Sequence, residues 1–240
     1  MPSREANSPT RPDRVGNPDL KPELATGIDV AFERYLSGGG VLSANVFHRQ
    51  ISDLIRYTVA QQASPYWAPG QLRWVSTPMN LGDATTQGIE LEAKFRLDQL
   101  RPGAWPIDIR SNLSFFKSRV KQVPGPDNRL DRQPDMTANL GADYRVRSMP
   151  LTVGGNLNWN PDYDTRLSEQ QWAYQGAKRV LDVYGQWRFS AATALRLTVS
   201  NLTSRDYLTT STFDGSGVSE TARNSSPSWR NVQLRLEMKI

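Results

Sequence analysis

Few residues in this chain could do chemistry. His48 is its single histidine and there is no cysteine, which excludes a thiol nucleophile, a cysteine-zinc centre and a disulfide framework. A Ser–His hydrolase would have to use His48. That residue falls in mid-strand with no nucleophile motif beside it, so it reads as structural. Glu90 and Glu92 lie two apart, about 7 Å along one face of an extended chain, within reach of an inverting carboxylate pair. Lys94 and Arg96 continue the same face, and a ladder of exchanged charges accounts for all four residues where catalysis accounts for two. Asp127 and Asn128 could offer oxygen ligands to calcium, but their spacing is not that of an EF-hand loop. One histidine leaves no other metal constellation. The expectation is a protein that is not an enzyme, with no cofactor and no metal.

The elements that carry these residues are legible in the alternation of apolar and polar positions. The clearest case is Trp229–Ile240, where Val232, Leu234, Leu236, Met238 and Ile240 alternate with Asn231, Gln233, Arg235, Glu237 and Lys239. A two-residue period puts every apolar side chain of a strand on one face. The same pattern recurs with Ile28, Val30 and Phe32; with Leu42, Ala44 and Val46; and with Ile89, Leu91, Ala93, Phe95 and Leu97. It continues with Ile107, Ile109, Leu113 and Phe115, with Ala138, Leu140, Ala142 and Tyr144, and with Leu151, Val153, Gly155, Leu157 and Trp159. Leu181, Val183, Trp187 and Phe189, then Leu195, Leu197 and Val199, complete a set of nine predicted strands with the terminal one. In the second strand Ile51 and Ile55 switch parity, which predicts a bulge near His48. Residues 1–23, rich in Pro, Asn, Asp and Arg, read as a loop lead-in to a single all-β unit over 24–240.

The connections fall into two classes in strict alternation. Short ones occupy 37–40, 98–106, 147–150 and 190–193; long ones occupy 58–78, 120–135, 160–178 and 203–228. Outer-membrane barrels have this asymmetry, with short inner turns and long outer loops, whereas a Greek-key sandwich has no reason to sort its loops. No apolar run approaches the roughly 18 residues of a spanning helix, but a barrel strand meets lipid only with alternate residues. Glu90, Glu92, Lys94 and Arg96 on one face suit a wet lumen, since a dry interior penalises each unpaired charge. Tyr35, Tyr144, Trp159, Trp187 and Phe189 stand near strand ends, where interfacial aromatics gather. The 29 basic and 24 acidic residues give a net charge of +5 with no basic run, so no nucleic-acid partner is expected. The first residues hold no apolar signal core. Nine is odd where single-chain bacterial barrels use an even number, so the strand set is expected to be incomplete.

Several motifs resemble the late barrel of TonB-dependent outer-membrane receptors. They are Asn17-Pro18-Asp19-Leu20-Lys21-Pro22-Glu23, Asn80-Leu81-Gly82 with Gly88-Ile89-Glu90-Leu91-Glu92, and Val199-Ser200-Asn201-Leu202 with Asp206-Tyr207. The resemblance covers essentially the whole chain. It implies an antiparallel transmembrane barrel segment, about nine up-and-down strands of a barrel of about 22 strands plugged by an N-terminal domain. Such receptors import ferric siderophores, cobalamin or similar scarce ligands, driven through TonB by the inner-membrane proton gradient. Two departures stand out: the plug, its TonB-contacting segment and about thirteen earlier strands are expected to be missing, and Ile240 stands where the family usually ends on an aromatic.

The resemblance also implies partners and site residues. In the family, ligands meet outer loops and lumen-facing aromatics and arginines. The corresponding residues here are Arg56, Tyr57, Tyr66, Trp67, Arg73, Trp74, Arg119, Arg129, Arg132, Tyr163, Arg166, Trp172, Tyr174, Tyr207 and Arg223. Arginine could pair with anionic carboxylate or catecholate groups, and Tyr or Trp could stack on planar ones. The other implied partners are outer-membrane lipid, the TonB complex through a missing plug, and the barrel-assembly machinery. The last would read Val232, Leu234, Leu236, Met238 and Ile240 as an assembly signal. The expected place is the bacterial outer membrane. Two alternatives are a truncated remnant that transports nothing and a soluble β-sandwich binding protein.

Overall fold

A computed structural model describes residues 7–63 and 69–239. In chain order the first elements are β1 (Asp13–Arg14), β2 (Leu24–Leu36), β3 (Gly40–Ser52), β4 (Ile55–Ala63), β5 (Leu72–Asn80) and β6 (Ala84–Arg96). A single helical turn, α1 (Leu97–Leu100), is followed by β7 (Ile107–Val120), β8 (Met136–Arg145), β9 (Leu151–Asn160), β10 (Tyr163–Arg166) and β11 (Gln171–Gln175). The chain ends with β12 (Lys178–Arg188), β13 (Thr193–Ser200), β14 (Tyr207–Gly215), β15 (Val218–Ser226) and β16 (Asn231–Met238).

Nine of these strands form one antiparallel sheet in the order β16-β13-β12-β9-β8-β7-β6-β3-β2. They are the nine expected from alternation, and most sheet neighbours follow one another up and down. Directly opposed residues share a face, so the pairing register can be followed across the sheet. One such row runs Phe32, Ala44, Leu91, Leu113, Ala138 and Trp159. Another runs Leu157, Leu181, and a third Val183, Val199, Val232. Rows of this parity are dominated by apolar side chains up to Val46, Ile89 and Phe115; nearer the long-loop end they turn polar, with His48, Gln87 and Lys117 and then Gln50, Thr85 and Arg119. The intervening parity gives rows such as Ser43, Glu92, Asn112, Asn139, Asn158. The sheet therefore has a broad apolar band on one face and a continuous polar other face.

Among the described residues no second sheet covers the apolar face, and only Trp105 at its short-turn end lies against it, over Tyr144. Ile28, Val30, Phe32, Val232, Leu234 and Leu236 are all more than half exposed. A contiguous exposed apolar surface on this scale marks a lipid or partner interface. Of the expected strand-end aromatics, Tyr144, Trp159 and Trp187 take the apolar parity. Tyr35 takes the polar one, opposite Val41 and in line with Lys94, and its hydroxyl donates to Glu33 Oε2 at 2.6 Å.

Two expectations are corrected. There is no bulge near His48: the β2–β3 ladder is continuous from Leu24↔Ser52 to Leu36↔Gly40. Ile51 has the other parity because it packs, with Leu130, against a small buried cluster of Leu54, Ala84, Val120 and Val123 at the long-loop end. Ile55 belongs to β4, beyond a turn in which Asp53 takes φ +54°. Second, the long connections and the lead-in are not loops throughout. They contain β1, β4, β5, β10, β11, β14 and β15.

Short connections close the other end. Gly38 and Gly39 have φ of +94° and +92°, a left-handed backbone that suits glycine. Gln99 of α1 ties two turns together: its Oε1 accepts from Arg96 N at 2.9 Å and its Nε2 donates to Gly38 O at 2.9 Å. All four long connections lie at the opposite end.

Candidate functional site

The long connections pair with one another into a cap. Hairpin β4–β5 takes β1 of the lead-in on its free edge, in parallel, with Asp13 opposite Val75. Hairpins β10–β11 and β14–β15 join through β11 and β14 into a four-stranded sheet. The two small sheets meet where the Trp74 ring stands edge-on to Phe213, centroids 5.0 Å apart, with both residues buried. Ser8 and Thr10 hydroxyls donate to Glu220 Oε1 at 2.9 and 2.7 Å, tying the lead-in to β15.

Arg56 lies beneath this cap, 3% exposed. Its Nη1 donates to the carbonyls of Leu167 at 3.0 Å and Arg166 at 3.3 Å. Its Nη2 donates to the carbonyl of Arg129 and pairs with Asp131 Oδ1 at 2.6 Å. One guanidinium thus holds segments of three long connections. Burial lowers its pKa from the ordinary value, against the pull of Asp131, and burial likewise raises that of Asp131. The five donors and flat shape of arginine suit several carbonyls at once, which lysine cannot match.

The family-like motifs have local work at the base of the cap. Asn17 Nδ2 donates to Pro78 O, and Asn80 Nδ2 donates to Asp53 O. Leu81 N donates to Leu54 O. Asn201, at φ +54°, donates from Nδ2 to Trp229 O at 3.0 Å, and Asp206 accepts from Ser228 N. These amides seat each loop on the sheet where β-ladder bonding stops.

The sequence-derived candidates divide by environment. Trp74 is committed to Phe213, and the Arg73 Nη2 donates to Asp13 Oδ1 at 3.0 Å. Arg166 lies over the Trp172 ring at 5.2 Å and donates to the carbonyls of Gly125, Ser168 and Glu169. Arg129 pairs with Asp127 and Asp135 at 3.1 and 2.8 Å and stands over Tyr163 at 5.9 Å. Tyr174 donates to Asp162 Oδ2, and Lys178 Nζ lies 5.5 Å from the Tyr207 ring. Tyr57, Arg119, Arg132 and Arg223 are open to solvent. Tyr66 and Trp67 fall outside the described residues, as does Ile240. A hollow of about 270 Å³ opens beside Arg129, between Lys117, Asp127, Gln133 and Asp135.

The polar face adds residues that the sequence reading did not single out. Arg110 pairs with Asp143, which also accepts from the Tyr184 hydroxyl, and the Arg196 guanidinium lies 3.8 Å from the Tyr184 ring centroid. Arg110, Asp143, Tyr184 and Arg196 come from four strands, so no local spacing announces them; only their parity does. Beside them Asn156, Asn158, Asn160, Lys178 and Asp182 surround a polar hollow of about 290 Å³. Glu90 accepts from Asn45 Nδ2 at 3.1 Å, which makes it part of this wall. Among the described residues no three His, Asp or Glu side chains gather to hold a metal.

The model of a family described as TonB dependent receptor-like, beta-barrel matches residues 2–202. The chain belongs to that family.

Solved structures of an iron transporter and of siderophore receptors resemble it along most of its length. The FrpB iron transporter from Neisseria meningitidis (F3-3 variant) matches with a TM-score of 0.55 and 18% identity, covering 96% of this chain and 32% of that one. The ferripyoverdine receptor of the outer membrane of Pseudomonas aeruginosa matches with a TM-score of 0.58 and 15% identity, over 91% of this chain and 27% of that one. The siderophore receptor PirA from Acinetobacter baumannii matches at 0.54 and 18%, over 80% and 29%. At these identities the likeness is one of fold. The chain spans about a third or less of the receptors it matches. Comparison with curated protein sequences finds no match. The family and these neighbours are transport receptors rather than enzymes.

Proposed function

We propose that this chain is the C-terminal part of the barrel of a TonB-dependent receptor that carries a ferric siderophore across a bacterial outer membrane. The observation that carries the reading is the nine-stranded antiparallel sheet, with a broad apolar band on one face and a polar other face. Lipid against the first and water against the second remove the penalties each would otherwise incur. The sheet has two open edges, β2 and β16. In the receptor these edges pair with about thirteen further strands, around a plug that contacts TonB. The barrel-assembly machinery engages the C-terminal segment through Val232, Leu234, Leu236, Met238 and Ile240.

The ligand meets the cap and the polar wall beneath it. Tyr57, Arg132 and Arg223 are open to it, and the partly buried Arg166–Trp172 and Arg129–Tyr163 pairs set a cation beside a ring in the same cap. Such pairs suit a ligand that carries negative charge on flat rings, as catecholate carriers do. Tyr66 and Trp67, in the chain segment between β4 and β5, are assigned to the same ligand surface by the family resemblance. Arg56, Arg73 and Trp74 hold that surface together.

Deleting the receptor that carries this chain abolishes growth on at least one ferric siderophore supplied as sole iron source, and restoring it restores growth. Unchanged growth across catecholate, hydroxamate and carboxylate carriers overturns the assignment.

A further inference from the structure

The apolar face has an upper border, and on three adjacent strands it falls at the same level. Val46 on β3, Ile89 on β6 and Phe115 on β7 form its last apolar row. The next row toward the cap is His48, Gln87 and Lys117. Between the two rows lies a groove of about 430 Å³ with these six side chains as its walls. The backbone between the rows forms its floor. His48 Nδ1 lies 3.3 Å from Gln87 Oε1, so the polar wall is held across strands. One step higher on the same face of β7 is Arg119. Among the described residues neither Lys117 nor Arg119 has an ion-pair partner, and the next cation, Lys121, is met by Asp83 at 3.4 Å.

Resting on the barrel reading, we infer that this groove binds a phosphate-bearing acyl lipid of the outer leaflet. An acyl chain lies against Val46, Ile89 and Phe115, and the phosphate meets Lys117 and Arg119. Two observations select this occupant. The groove is apolar on its membrane side and cationic on its cap side, so it matches one molecule with both parts. It also lies on the outward face, where soluble ligand passing along the polar wall does not reach. Arginine and lysine bind phosphate through charge-assisted hydrogen bonds, which strengthen at the edge of a low-dielectric layer. Gln87 and His48 offer further polar contacts to the glycerol or sugar that carries the phosphate.

The test is native mass spectrometry of the complete receptor, purified in detergent and supplied with lipid A, with dephosphorylated lipid A, with phosphatidylcholine, or with inorganic phosphate. The expected result is retention of lipid A alone, reduced at least tenfold in K117Q/R119Q and also reduced in Ile89→Trp, which fills the groove. Lys94→Gln, on the polar face, retains lipid A as the parent does. A folded, heat-modifiable receptor that holds no lipid A, or that holds it equally in K117Q/R119Q, overturns the lipid site and leaves the barrel standing. Equal retention of dephosphorylated lipid or phosphatidylcholine overturns the phosphate contact. A receptor that does not enter the membrane overturns the barrel reading and the site with it.

Discussion

At the scale of single residues, Arg56 shows how a side chain that resembles a ligand contact can serve the architecture. Its guanidinium is turned inward to carbonyls of Arg129, Arg166 and Leu167. Removing it leaves buried acceptors unpaired and Asp131 without its partner, a loss of about 3 kcal/mol by the usual cost of orphaned buried groups. Arg56→Ala is expected to raise hydrogen exchange across 120–135 and 160–178 while leaving the β7–β8 ladder protected. Arg56→Lys, with three donors in place of five, restores part of that protection. Gly154 is a second case. A Cβ there would stand 2.6 Å from Tyr184 Cε1 and 2.9 Å from the carbonyl of Ala142, and would press on the Asp143 carboxylate. Gly154→Val is therefore expected to break the Asp143–Tyr184 contact and cost about 1–3 kcal/mol through overpacking. A lower melting temperature of the detergent-purified receptor measures it.

Each strand of the large sheet carries two opposed surfaces, and adjacent positions on one strand make the sharpest comparison. Leu197 is on the apolar face in line with Gly185 and Leu234, and Thr198 is on the polar face in line with Tyr184 and Gln233. Leu197→Arg is expected to cost about 2–4 kcal/mol, the penalty for a cation among lipid tails near the bilayer middle. Thr198→Arg meets water and is expected to be tolerated. The yield of heat-modifiable receptor in outer-membrane fractions separates the two; equal yields would mean that the apolar face does not meet lipid. The long connections obey a different logic. Their strands add edges to one another, and side chain-to-carbonyl bonds such as those of Arg56 and Arg166 tie one connection to the next.

For the molecule as a whole, the open edges of β2 and β16 dominate the behaviour of the isolated 240 residues. Unpaired strand edges in lipid leave backbone donors and acceptors without partners at several kcal/mol each, and in water they template aggregation. The isolated chain is expected to form no heat-modifiable, protease-resistant monomer in detergent micelles. Such a monomer, detected by gel shift after boiling, would show that these strands close on themselves.

The nine strands of the sheet, their up-and-down order and their two faces were legible in the amino-acid sequence. The two-residue period follows from backbone geometry alone, and the apolar-face set Ile28, Ile89, Leu91, Leu234 and Leu236 needed no tertiary information. The alternation of short and long connections was equally local. What only the tertiary structure decided was everything at the cap end. Ile51 breaks parity because a cluster built from Leu54, Ala84, Val120 and Val123 covers it, and all of these but Leu54 are distant in the chain. The pairing of β1 with β5 and β11 with β14, the burial of Trp74 on Phe213, and the inward turn of Arg56 have the same origin. Such contacts join segments separated by tens to hundreds of residues, and polar loop sequences carry no period that reports which partner they meet. Periodicity is a property of one strand; a cap is a property of several at once.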